Sequence, residues 1–82
     1  MPRLYFDVYR NGKVAPDTEG SDCPDLAAAR REAMAILPEV VRSDILEHGD
    51  TQQFVVVVRD ESGTTLYTAT LNYAGLTFAP RQ

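Results

Sequence analysis

The sequence has one cysteine, one histidine and no tryptophan. A single thiol closes no internal disulfide, so nothing in the chain points to an oxidising compartment. Cys23 and His48 are too few to supply the three or four convergent ligands of a zinc site. Positive charge is also scarce: eight Lys and Arg face twelve Asp and Glu, for a net charge of −4 at pH 7. That balance repels a phosphate backbone and argues against nucleic acid and anionic membrane surfaces as partners. No window approaches the roughly 18 apolar residues that a membrane helix needs. The opening MPRLYFDVYR has charges on both sides of an apolar run too short for a secretory signal. The expectation is a cytoplasmic protein. No phosphate-binding glycine loop, G-x-S-x-G elbow, repeat or low-complexity linker occurs, and neither an enzyme nor a cofactor is expected.

What is present is a single domain over 1–82. A chain this short buries only about 60 to 65% of its unfolded surface and has one small core. In RLYFDVYR, Leu4, Phe6 and Val8 alternate with Tyr5, Asp7 and Tyr9, the period of a strand with one face on a core. Asn11-Gly12 tolerates the positive φ values of a type I′ turn and returns the chain as a second strand over Lys13 to Ala15. Pro16, which has no ladder donor, keeps that strand short and at an edge.

From Leu26 the apolar positions Leu26, Ala29, Ala33, Ile36, Leu37, Val40 and Val41 recur at three and four, a helix with one buried stripe. Asp25 is placed to cap it. Pro38 removes one backbone bond inside this pattern and predicts a kink or a break into two short helices, the second running to about Glu47 with Gly49 as its C′ residue. QFVVVVR is the strongest strand signal and is apolar on both faces. DESG turns the chain with Gly63 left-handed, and TTLYTATLNY returns with Tyr67, Ala69, Leu71 and Tyr73 on one face. Residues 74–82 are read as either a short edge strand or a frayed tail. The fold class is α+β, order ββαββ: a small four-stranded antiparallel sheet with one kinked helix packed on one face.

The loop DTEGSDCPD invites a cation-site reading. An EF-hand register counted from Asp17 wants Gly at its sixth place and Glu at its twelfth, where this chain has Asp22 and Ala28. We therefore read the loop as a turn that delivers the chain into the helix, with Gly20 bending and Pro24 extending the backbone. The alternative is a metal- or ligand-responsive regulator using Asp17, Glu19 and Asp22. Cys23 precedes the helix whereas His48 lies beyond its other end, so no Cys–His dyad is expected, and His48 reads as a charge partner at the helix end. Arg30, Arg31 and Arg42 are interleaved with Glu32, Glu39, Asp44 and Glu47, a solvated mixed-charge face with pairing three or four residues apart.

MPRLYFDVYRNG, APDTEGSDCPDLAAARREA and VVVRDESGTTLYTATL together resemble a family of short bacterial proteins catalogued as a domain of unknown function. The likeness runs along nearly the full chain: an M-P-R-x-Y-F-D-V strand, a D-x-E-G turn, a P-D-L-x-A-A-R-x-E-A helix start and a V-R-D-x-x-G hairpin. It departs from the family pattern at Cys23, where an apolar residue is more usual, and at Pro38. The family implies no established activity. Over the first 45 residues the hairpin and alanine-rich helix are also similar to HicB-type antitoxin domains, in which this unit neutralises a partner toxin. The P-G-C turn and the appended DNA-binding module of those domains are missing.

One helix covers one face of a four-stranded sheet. Tyr5, Tyr9, Val55 and Val57 are therefore expected on an uncovered face, as a surface for self-association or for another protein.

Overall fold

The computed structural model describes residues 3–79. Six elements follow one another: β1 (Arg3–Arg10), β2 (Lys13–Ala15), β3 (Ser21–Asp22), α1 (Leu26–Asp44), β4 (Thr51–Arg59) and β5 (Thr65–Ala74). The sheet is antiparallel in the order β2-β1-β4-β5, and β3 pairs with β1 beyond the end of β2. It thus has a fifth, two-residue strand where the sequence reads as loop. β2 lies beside Val8–Arg10 and β3 beside Arg3–Leu4, so the two share one edge of β1 and leave a gap between them.

The first hairpin turns through Asn11 and Gly12, both at positive φ, as the type I′ reading requires. The Asn11 side chain extends the ladder, accepting from Gln53 N–H while Asn11 N–H donates to Gln53 O. The second hairpin closes on Asp60. Its carboxylate accepts from Ser62 N–H, the Ser62 hydroxyl and Thr64 N–H, and Gly63 is left-handed at φ 92. At its start β5 carries a bulge: Val58 pairs with Tyr67 and Arg59 with Thr65, leaving Leu66 as the extra residue.

Asp25 caps α1, its side chain accepting from Ala28 N–H at 2.8 Å. Ala29, Ala33, Leu37 and Val40 form the buried stripe, flanked by Ile36 and Val41. Leu26, expected in that stripe, is half exposed. The expected break at Pro38 does not occur. α1 runs unbroken from Leu26 to Asp44, with Pro38 on its exposed side, so the missing bond costs one backbone partner without moving the buried stripe. The helix also ends before Glu47. Ile45 is the C-cap, and Gly49, left-handed at φ 91, lies four residues farther on. The buried Gln52 amide finishes the end instead, donating to Ile45 O at 2.8 Å and Gly49 O at 2.7 Å.

The core lies between α1 and the sheet. Leu4 and Phe6 of β1 and Phe54, Val56 and Val58 of β4 meet the helix stripe, with Cys23 buried at the margin. Each large side chain fully removed from water there contributes about 1.5–3 kcal/mol. Ala29 and Ala33, both fully buried, put small side chains on the helix stripe that meets the sheet. Tyr67 and Ala69 of β5 complete this side, while Leu71 and Tyr73 of the same face project past the core and remain 44% and 42% exposed. Residues 75–79 form no strand, and Leu76 and Phe78 stand 83% and 86% exposed. The rest of the segment expected as edge strand or tail, 80–82, lies outside the described residues, as do the first two residues of the chain.

Candidate functional site

The face of the sheet away from α1 is built by the alternate residues of each strand. Strand register places them in rows: Val14, Tyr9, Val55 and Thr70; then Asp7, Val57 and Thr68; then Tyr5, Arg59 and Thr65. All four residues expected on the uncovered face, Tyr5, Tyr9, Val55 and Val57, lie on it. Their surroundings divide the face into two halves.

The half holding Tyr5 is polar and closed over by the chain itself. Arg59 Nε donates to Asp7 Oδ2 at 2.7 Å, and its Nη2 donates to Asp7 Oδ1 at 3.4 Å and to Asp17 O at 3.1 Å. The guanidinium also lies 4.7 Å from the centre of the Tyr5 ring, a cation–π contact. Asp17 N–H donates to Asp7 Oδ1, which folds the acidic loop onto the sheet. Asp17 then spends its own carboxylate on backbone: Oδ1 accepts from Glu19 and Gly20 N–H, and Oδ2 accepts from Phe6 N–H, the β1 donor left in the gap between β2 and β3.

Charge and hydrogen bonding oppose burial here. Burial pushes the Asp7 carboxyl up, but the Arg59 hydrogen bond, the Asp17 N–H and the Arg59 charge outweigh it and hold its pKa below the ordinary value. Burial likewise raises Asp17, and the three backbone donors with the Arg59 charge bring it down. The Asp7 hydrogen bond in turn raises Arg59. Both carboxylates are held ionised by fixed partners, which leaves neither poised as a general acid or base near neutral pH.

The three acidic residues considered for a cation site do not converge. Asp17 is occupied as described, and Asp22 pairs with Arg3 at 2.8 Å on the outside of β3. Among the described residues no three His, Cys, Asp or Glu side chains are grouped to hold a metal ion. Cys23 is buried, and burial together with Glu32, Asp22 and Asp25 pushes its thiol up, away from the reactive thiolate. His48 Nε2 lies 3.9 Å from Asp44 Oδ2 just past the helix end. Asp44 also receives Arg10 at 3.5 Å, and among the described residues no Arg–Asp or Arg–Glu ion pair forms within the helix, contrary to the pairing expected along its face. No helix among the described residues is long and apolar enough to cross a membrane.

The other half of the face is apolar and open. Tyr9 and Val14 are exposed beside the half-buried Val55 and Val57, and Thr68 and Thr70 border them on β5. Sequence reasoning missed Val14 as a member of this patch. The signal was present: a two-residue Asn-Gly turn pairs Arg10 with Lys13, and so Tyr9 with Val14. Arg59 was missed as the organiser of the polar half, since nothing local ties it to residues about fifty positions away.

No curated protein and no solved structure matches the chain. A family match does, over residues 3–72, which takes in all six elements apart from the last two residues of β5. The chain belongs to the family described as Domain of unknown function (DUF6894).

Proposed function

We propose that this domain is a non-catalytic interaction module of a small cytoplasmic protein, associating with itself or with another protein through its sheet. The observation that carries this reading is the row of Val14, Tyr9 and Val55 with Val57 behind it, apolar side chains aligned across three strands on the face α1 does not cover. A rigid patch of this kind, rimmed by polar groups, is the usual form of a protein-binding surface. The rim is supplied by threonines on β5 and by the Asp7–Arg59–Asp17 network, which fixes the loop beside the patch. The net charge of −4 weighs against nucleic acid as the partner.

Tyr9→Glu combined with Val14→Glu puts two carboxylates into the patch at exposed positions. With tagged chain in an extract of the native host, the partner held by the wild type is expected to be lost by this variant while its circular dichroism and melting temperature stay unchanged. Retention of the same partner at undiminished yield would remove the open face from the proposal.

A further inference from the structure

The two edges of the sheet are finished differently. On the β1 side, β2 has three residues and runs into Pro16, and β3 has two. In the gap between them the Asp17 carboxylate accepts Phe6 N–H. Short strands, a proline and a satisfied donor are the means by which an edge is kept from pairing with another chain. On the opposite side β5 presents ten residues, and among the described residues no strand lies outside it. It contains no lysine, no proline and no charge, and its only irregularity, the bulge at Leu66, falls at its start. The uncharged run extends from Ser62 to Pro80, although the chain carries eight basic and twelve acidic residues elsewhere.

We infer that β5 pairs antiparallel with β5 of a second copy about a two-fold axis, joining two sheets into one. This rests on the reading that the domain associates through its sheet, and it names the edge and the occupant. Charge selects a second copy. Two molecules of net charge −4 repel wherever their charged surfaces meet, and this strip is where they approach without that penalty; it offers nothing to steer a basic partner. An antiparallel edge is also complementary to itself, the condition an isologous interface requires.

The side chains agree with such a pairing. A two-fold axis normal to the sheet keeps each face continuous, so paired residues share parity. Centred on Thr70, the pairing sets Thr70 against its own copy, Thr68 against Asn72, Ala69 against Leu71 and Tyr67 against Tyr73. These are polar, apolar and aromatic pairs of the kind that stabilise neighbouring strands. Leu71 and Tyr73, left projecting past the core of one chain, become covered on the helix side of the joined sheet. Leu76 and Phe78 then continue alongside the hairpin of the second copy.

Sedimentation velocity over a wide concentration range, with amide hydrogen exchange of β5 in the same samples, tests this. The wild type is expected to sediment as a dimer at high concentration, with the outward amides of β5 gaining protection as the dimer forms. Leu71→Lys, at an exposed position outside the open face, is expected to weaken dimerisation by about tenfold or more, while Tyr9→Glu with Val14→Glu leaves it unchanged. A dimer broken by the open-face variant and not by Leu71→Lys overturns the β5 pairing and leaves the broader reading standing. A monomer at every concentration, with the outward amides of β5 exchanging freely, also overturns the pairing and leaves the open face to a foreign partner. The exchange measurement needs no variant, so a Leu71→Lys chain that failed to fold would not spare the inference.

Discussion

Gly20 sits where a side chain has no room. A Cβ built on it would lie 2.9 Å from the Tyr5 ring, 3.0 Å from Arg3 Cγ and 3.1 Å from Leu4 O, and its φ of +75° is one that L residues rarely adopt. Tyr5 is thereby held between Gly20 and the Arg59 guanidinium. Gly20→Ala is expected to destabilise the chain by about 2 kcal/mol, seen as a fall of roughly 10 °C in Tm. An unchanged Tm would mean that the acidic loop is not anchored on the sheet. The same cluster sets the acid limb of stability. Asp7 and Asp17 have folded pKa values below the ordinary 3.8, so the unfolded chain binds protons more readily and unfolding takes protons up. Their contribution is complete above about pH 5 and is lost as pH falls through 3.8 and below. Asp7→Asn is expected to lower Tm at pH 7 and to flatten its decline toward acid; a variant whose acid slope equals that of the wild type would exclude Asp7 as a source of that slope.

The elements were largely legible in the sequence because most of them are encoded locally. Alternation at Leu4, Phe6 and Val8 placed β1, Asn11-Gly12 placed the turn, Asp25 the helix start and Gly63 the second turn. What escaped was encoded at a distance. The Phe6–Asp17 and Asp7–Arg59 bonds join residues 11 and 52 positions apart, and no periodicity announces them. β3 is too short to show a period of its own, and it forms because the loop is drawn onto β1. The end of α1 is set by Gln52, a polar residue at the start of an apolar strand. The helix does not break at Pro38 for a different reason: the local cost of the proline is real, but the packing of Leu37, Val40 and Val41 around it holds the helix through it. Pro38→Ala restores a donor for the Met34 carbonyl and is expected to raise stability by up to about 3 kcal/mol, measured as a higher midpoint in urea. A lowered midpoint would show that the packing of α1 relies on the geometry the proline imposes.

The whole molecule is a two-layer structure with its helix on one side and a divided face on the other. Of the candidate surface, Tyr5 and Tyr9 were legible as facing away from the helix because β1 alternates, and Val55 and Val57 because β4 is apolar on both faces and one helix covers only one of them. That Tyr5 is occupied within the chain while Tyr9 is open was not, since it depends on where Arg59 and Gly20 arrive. At this scale the paired-strand inference and the open-face proposal make separate demands, one on solution mass and the other on partner capture. The carboxylate of Asp17 against Phe6 N–H has a consequence for stoichiometry. If a dimer forms along β5, its two outermost strand edges are both of the sealed kind, so growth stops at two molecules and the charge-free strip does not seed a fibril.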